Sequence, residues 1–216
     1  MGSSSVSPTE TKKEARTVRV QTVLGPIEPS ELGIVSMHEH VLCDVTPPAV
    51  RKLEKERVEI TLENVHEVRF FWARHYGNHI LDDTDMMAEE LVDYREAGGG
   101  TIVDLTIRGI SPDPVGLASI SQRSGVNIVA GTGYYIAEFC AQELSSTGTE
   151  EMAAAMIRDL NDGFEGTNMR AGIIGEIGVS DPWHPGERRA MTAAALAQQE
   201  TGAAITVHPG RDPNSP

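Results

Sequence analysis

Short β-rich runs recur along the chain, each followed by a longer stretch of helical period, and this alternation constrains the fold more than any other feature. It is the pattern of a parallel sheet built from βα units, because parallel neighbours need a crossover long enough to hold a helix. The runs are Leu32 to Met37, Thr101 to Thr106, Asn127 to Gly131, Ala171 to Ile177 and Ala203 to Val207. The segments TIVDLT, NIVAG and AAITV are apolar on both faces, as strands are between a barrel interior and an outer helix layer. An open doubly wound sheet would read similarly, but no GxGxxG follows the first strand and there is no P-loop, which disfavours its nucleotide-binding forms. An earlier run, Val18 to Leu24, reads as a small N-terminal β-hairpin strand capping the bottom of the sheet.

Helical spacing is clear between the strands. Leu62, Val65, Val68 and Phe71 repeat at a helical interval, as do Met87, Leu91 and Tyr94 before Gly98-Gly99-Gly100 ends the segment. Leu117 and Ile120 precede Gly125, and Met152, Met156 and Leu160 precede Gly163. Pro185 suits the first turn of a helix holding Met191, Ala194 and Ala195, with Gly202 just past its end.

Residues 1–17 are polar and lack an apolar stretch, so they read as a disordered tail rather than a signal peptide or anchor. A myristoylation signal at Gly2 is undercut by Val6, which stands where Ser or Thr is required. Residues 18–216 read as the barrel portion. A net charge of −14 argues against nucleic acid or an anionic membrane as a partner. Cys43 and Cys140 are too few for a disulfide framework and lack metal-motif spacing, so the expectation is reduced thiols in the cytoplasm.

The residues that carry chemistry stand at strand ends. Met37-His38-Glu39-His40 closes the first run, and alternation puts both imidazoles on one face with Glu39 turned away. The competing reading is two polar residues in a surface turn. Glu176, in GIIGEIG, is a carboxylate at the tip of an apolar strand and asks for a cation, whether metal, Arg or Lys. His208 closes the fifth run, and Pro209 stops that strand at the sheet mouth, where barrel enzymes keep their sites; a core histidine is the alternative. His66, His75, His79 and His184 read as solvated or structural. Asp104 and Arg108 suggest a supporting pair behind the site, and Tyr135, after Tyr134, reads as a pocket wall or as packing.

In their order, VQTVLGPIEPSELG (20–33), MHEHVLCD (37–44), GTGYY (131–135), GIIGEIGVS (172–180) and TVHPGR (206–211) resemble the phosphotriesterase family of the amidohydrolase superfamily. The resemblance is strongest to its animal-type branch of phosphotriesterase-related proteins. It implies a TIM-type (β/α) barrel and a binuclear metal centre, commonly zinc. His38 and His40 would bind the more buried ion, Glu176 would bridge both, and His208 would bind the more exposed one. Many members carry a carboxylated lysine where Glu176 stands; this branch uses Glu.

The family barrel has eight strands, with a further His after the sixth and an Asp, the proton acceptor, after the eighth. Neither falls within these residues, so the resemblance implies an incomplete barrel of about five of eight βα units and a C-terminally truncated chain with little or no hydrolysis. The catalytic proton acceptor is therefore unassigned here. The implied reaction is hydrolysis of ester or amide bonds, with N-acetyltaurine-like N-acyl substrates favoured over phosphotriesters and lactones. Arg211 would hold the substrate's anionic group or pair with Glu39. The competing expectation is a non-catalytic fragment that binds one metal or a partner; a small molecule and a homodimer are the partners considered.

Overall fold

The computed structural model describes residues 18–52, 59–71 and 76–210. Expectations placed on the tail before Thr17, on His75 and on Arg211 lie outside the described residues.

The described chain opens with an antiparallel hairpin, β1 (Val20–Thr22) and β2 (Gly25–Ile27), turned through Gly25 at φ 122°. Then comes β3 (Ile34–Glu39), followed by a second small antiparallel pair, β4 (Cys43–Asp44) with β5 (Ile80–Leu81). Two short helices, α1 (Pro48–Arg51) and α2 (Val65–Phe71), lie between β4 and β5. The repeating part follows: α3 (Thr84–Glu96), β6 (Gly99–Asp104), α4 (Pro114–Ser124), β7 (Asn127–Thr132), α5 (Ala137–Ser146), α6 (Thr149–Asn161), β8 (Ile173–Gly178), α7 (Pro185–Thr201) and β9 (Ile205–His208).

The main sheet runs β3-β6-β7-β8-β9, every neighbouring pair parallel and in chain order. This is the expected incomplete (β/α) barrel. One core lies between sheet and helices, with Met152, Met156, Ile174, Ile177 and Ala193 in one part and Leu91, Leu117, Ile120 and Ile128 in another. A smaller cluster, Val103, Leu105 and Val129 with Val35 and Ile173, fills the other face. The hairpin meets the amino-terminal end of the sheet: Val23 N donates to Ile128 O at 2.9 Å, and Val20 packs on the smaller cluster.

The helix limits follow local chemistry. Asp113 caps α4 by accepting from Gly116 N at 2.8 Å; Pro114 fills the first turn, and Gly125 at φ 74° ends the helix. In α7, His184 Nδ1 accepts from Gly186 N at 3.1 Å and Gly202 at φ 75° closes the helix.

Three features differ from expectation. Gly98 alone ends α3; Gly99 and Gly100 begin β6, because the Tyr94 ring covers Gly99 and Leu32 O sits where a Gly100 side chain would go. α5 carries little periodic signal, being short and kinked at Cys140 (φ −113°), and its apolar Cys140 and Leu144 do not mark a long stripe. α2 forms where the Leu62 to Phe71 spacing indicates, yet it buries none of its residues, so here helical period does not mark a core face.

Candidate metal centre

β3 ends in a bulge rather than a regular strand, with a register shift against β6 between Ser36 and Glu39. Glu39 turns outward and accepts from Ser36 Oγ at 2.5 Å, while His38 and His40 both turn to the concave side. There they meet Glu176, whose side chain is 1% exposed at the end of β8. His38 Nε2 lies 3.1 Å from Glu176 Oε2, His40 Nε2 lies 3.3 Å from Oε1, and His208 Nδ1, from β9, lies 2.9 Å from Oε2.

Three strand intervals separate β3 from β8, about 14 Å in a flat sheet at the usual spacing. Side chains standing off a flat sheet would not meet across that gap, so these contacts require the sheet to curl as a barrel wall does.

Among the described residues, His38, His40 and Glu176 form a group whose ligand atoms lie within 4.8 Å of one another. His208 touches Glu176 but stands outside that mutual set. The donor set suits a divalent cation: two imidazoles and a carboxylate are borderline ligands of the zinc kind. Glu176 Oε1 is buried and makes no well-directed hydrogen bond, as expected of a lone pair aimed where an ion would sit.

Burial works to raise the Glu176 carboxyl, but the hydrogen bond with His208, the close approach of His40 and the nearby imidazole charge bring it down to about 2. For His40, burial works to lower the imidazole value, and the Glu176 bond and charge overcome it, so the net direction is up. The cluster therefore favours an anionic carboxylate held among cation-seeking or protonated nitrogens.

The cluster opens into a cavity of about 690 Å³. Val45, Pro47, Ile136, Phe139 and Val179 supply apolar wall, and Glu138 and Asp181 supply carboxylates. Tyr135 lines it, with its hydroxyl 3.4 Å from both ring nitrogens of His208 and its ring at 64° to the imidazole.

The Asp104–Arg108 pairing expected from sequence does not form. Asp104 ends β6 facing the sheet mouth, whereas Arg108 lies beyond the strand, bonded to Thr132 Oγ1 at 3.0 Å and to Asp159 of α6 at 2.6 Å. The residue missed beside Asp104 is Thr106, just past the end of β6, whose Oγ1 lies 3.1 Å from His40 Nδ1; its spacing of two from Asp104 was the available signal. Of the other histidines, His66 is exposed, His184 caps α7, and His79 is buried with its carbonyl accepting from Val45 N at 2.8 Å.

Curled parallel sheet, outer helices and polar residues gathered at the carboxyl ends define a (β/α)-barrel architecture with an active-site-like mouth. The phosphotriesterase family model matches residues 18–216, and the chain belongs to that family. An N-acetyltaurine hydrolase of Salmo salar is 38% identical over 208 residues, covering 92% of this chain and 58% of that protein. A phosphotriesterase-related protein of Nematostella vectensis is 36% identical over 204 residues, covering 91% and 58%. The chain thus spans 58% of the length of these relatives. Among solved structures, a resiniferatoxin-binding protein from Rhodobacter sphaeroides superposes with a TM-score of 0.80 at 36% identity, over 88% of this chain and 55% of that one. No helix among the described residues is long and apolar enough to cross a membrane.

Proposed function

We propose that this chain carries the ligands of a metal-dependent hydrolase centre acting in the cytoplasm on ester or amide bonds of a small molecule. N-acyl compounds of the N-acetyltaurine kind are favoured, since relatives at 34–38% identity bear that name. The observation that carries the reading is Glu176, a buried carboxylate met by three imidazoles at the mouth of a curled parallel sheet.

In this reading His38, His40 and Glu176 would hold one zinc-like ion, and Glu176 and His208 would contribute to a second. When bound, such ions supply Lewis acidity, making hydroxide available near neutral pH and polarising the scissile bond. The chain's own residues do the rest. Glu176 gathers the imidazoles and keeps their nitrogens directed inward. Tyr135 and the apolar wall limit water and seat the substrate's hydrocarbon part. Arg211 remains the candidate for an anionic sulfonate or carboxylate on the substrate.

Elemental mass spectrometry of the purified protein beside a His38→Ala, His40→Ala double variant tests the centre. About one zinc or similar ion or more per chain in the wild type, lost in the variant, supports it; equal metal in both overturns it. Acetate release from N-acetyltaurine, against a phosphotriester and a lactone, tests the substrate preference, and faster turnover of either comparison compound overturns that preference.

A further inference from the structure

The ladder between β6 and β7 stops at Asp104 and Ala130 and resumes beyond both strands as a parallel bridge between Arg108 and Tyr134. There Arg108 O accepts from Tyr135 N at 3.0 Å, and the Cys140 thiol reaches the same carbonyl. The Arg108 side chain takes the other end of this segment. One guanidinium nitrogen donates to Thr132 Oγ1 at 3.0 Å and another to Asp159 Oδ2 at 2.6 Å. The Thr132 hydroxyl donates to that same carboxylate oxygen at 2.6 Å. Arg108 therefore grips the chain leaving β7 at Thr132 and again at Tyr135, and its guanidinium lies 5.3 Å from the centre of the Tyr134 ring between them.

This grip is hard to release. Asp159 is fully buried, its Oδ1 has no hydrogen-bond partner among the described residues, and Arg158 Nε stands 4.0 Å away from it. Withdrawing Arg108 would strip a buried carboxylate of its close cation, which is far costlier than keeping the pair. The guanidinium is thus held wherever α6 holds Asp159. Gly109, the next residue, packs directly on the gripped segment: a Cβ there would strike Cys140 Sγ and come within 3.3 Å of Tyr135 Cβ. On the far side, Gly178 N at the end of β8 donates to Tyr134 O at 3.0 Å. Held in this way, the Tyr135 ring stands on the cavity wall with its centre 4.8 Å from that of His208.

We propose that Arg108, anchored on Asp159 and Thr132, is a positioning residue for Tyr135: it fixes where the Tyr135 ring stands on the cavity wall, and so how closely the hydrocarbon part of a substrate fits there. The effect on substrate fit rests on the hydrolase reading above; the placing of Tyr135 does not. Arg108→Lys keeps the charge but replaces a planar fork by a single ammonium, which cannot serve Thr132 and Asp159 in the same geometry. Thr132→Val keeps the shape and removes one anchor without removing a charge.

Two measurements on the full chain test it. In the metal-free protein, NMR cross-relaxation between the Tyr135 ring and the His208 imidazole should be present in wild type, lost in Arg108→Lys and weakened in Thr132→Val. Its absence from the wild type, or unchanged cross-peaks in a folded Arg108→Lys, overturns the positioning role; if Arg108→Lys does not fold, Thr132→Val decides in its place. Hydrolysis of N-acetyltaurine separates positioning from stability. Arg108→Lys should raise KM about fivefold with kcat within about twofold of wild type, and should add nothing to the KM of a Tyr135→Ala variant. A lower kcat at unchanged KM, which is what a smaller folded fraction gives, or the same rise in KM on the Tyr135→Ala background, overturns the proposal. Absence of turnover in the wild type overturns the hydrolase reading instead, and the cross-peaks still decide whether Arg108 places Tyr135.

Discussion

Glu187 is fully buried in the first turn of α7, and its partners are four donors from the loops beside the cavity. Oε1 accepts from Ala137 N at 2.7 Å; Oε2 accepts from Ser180 N at 2.8 Å, Ser180 Oγ at 2.9 Å and His184 N at 3.3 Å. Ile136, Val179 and Ser180, on these same loops, line the cavity, so one carboxylate ties two of its walls together. Glu187→Ala strands three amide hydrogens, each costing about 1–3 kcal/mol if left unpaired, while the Ser180 hydroxyl can rotate to another acceptor. Water entering the vacated polar space recovers part of this, so the expected loss is about 4 kcal/mol, at the upper end for one substitution. Glu187→Gln keeps one carbonyl oxygen, best placed against the three donors that now meet Oε2. Its amide then faces Ala137 N, donor against donor, for a loss of about 2 kcal/mol. Urea unfolding followed by circular dichroism measures both, compared at equal denaturant slopes. An alanine variant within about 1 kcal/mol of wild type, or a glutamine variant as damaged as the alanine one, would refute the assignment of Glu187 as the clamp of these loops.

Cys43 and Cys140 are buried, which pushes their thiols up to about 11 and about 12, so iodoacetamide near pH 8 should label neither in the folded protein and both in urea; native labelling refutes this. Gly131→Ala puts a Cβ at 2.1 Å from Gly175 O on the neighbouring strand, so β7 and β8 must part; a loss above about 2 kcal/mol, or insoluble expression, is expected, and a melt like wild type counts against it. The folded Glu176 carboxyl, at about 2, lies below its ordinary 4.5, so its contribution to stability is full above 4.5 and lost as pH falls through about 2. In the metal-free protein, the stability gap between wild type and Glu176→Gln should therefore narrow between those values in urea melts at stepped pH; a constant gap contradicts it.

The parallel sheet was legible because each βα unit carries its own signal: an apolar run, a helical stripe, and a Gly or Pro to punctuate them. What the sequence hid was local or cooperative. α5 has a kink where Cys140 turns its thiol to Arg108 O, and no single-sequence period survives that. Gly99 and Gly100 look like a helix stop, but they are strand residues made necessary by Tyr94 and by Leu32 O, a contact between distant parts of the chain. His38, His40, Glu176 and His208 were readable as strand-end residues, and the curl brings them together. Arg108 illustrates the opposite case. Nearness to Asp104 along the strand was misleading, because the partner that neutralises it, Asp159, lies on a helix packed outside the sheet.

The meeting of His38 with Glu176 across three strand intervals ties two quantities that are usually separate. An ion held there would work as a tie-rod spanning the hollow of the sheet, and its fit would depend on how tightly the wall is bent. That bend is set by the outer helices packed behind β6, β7 and β8, far from any ligand atom. A substitution in that outer layer that flattens the sheet slightly would loosen the grip on a cation while leaving every ligand in place, so an affinity for metal at this site would double as a strain gauge for the hydrophobic core.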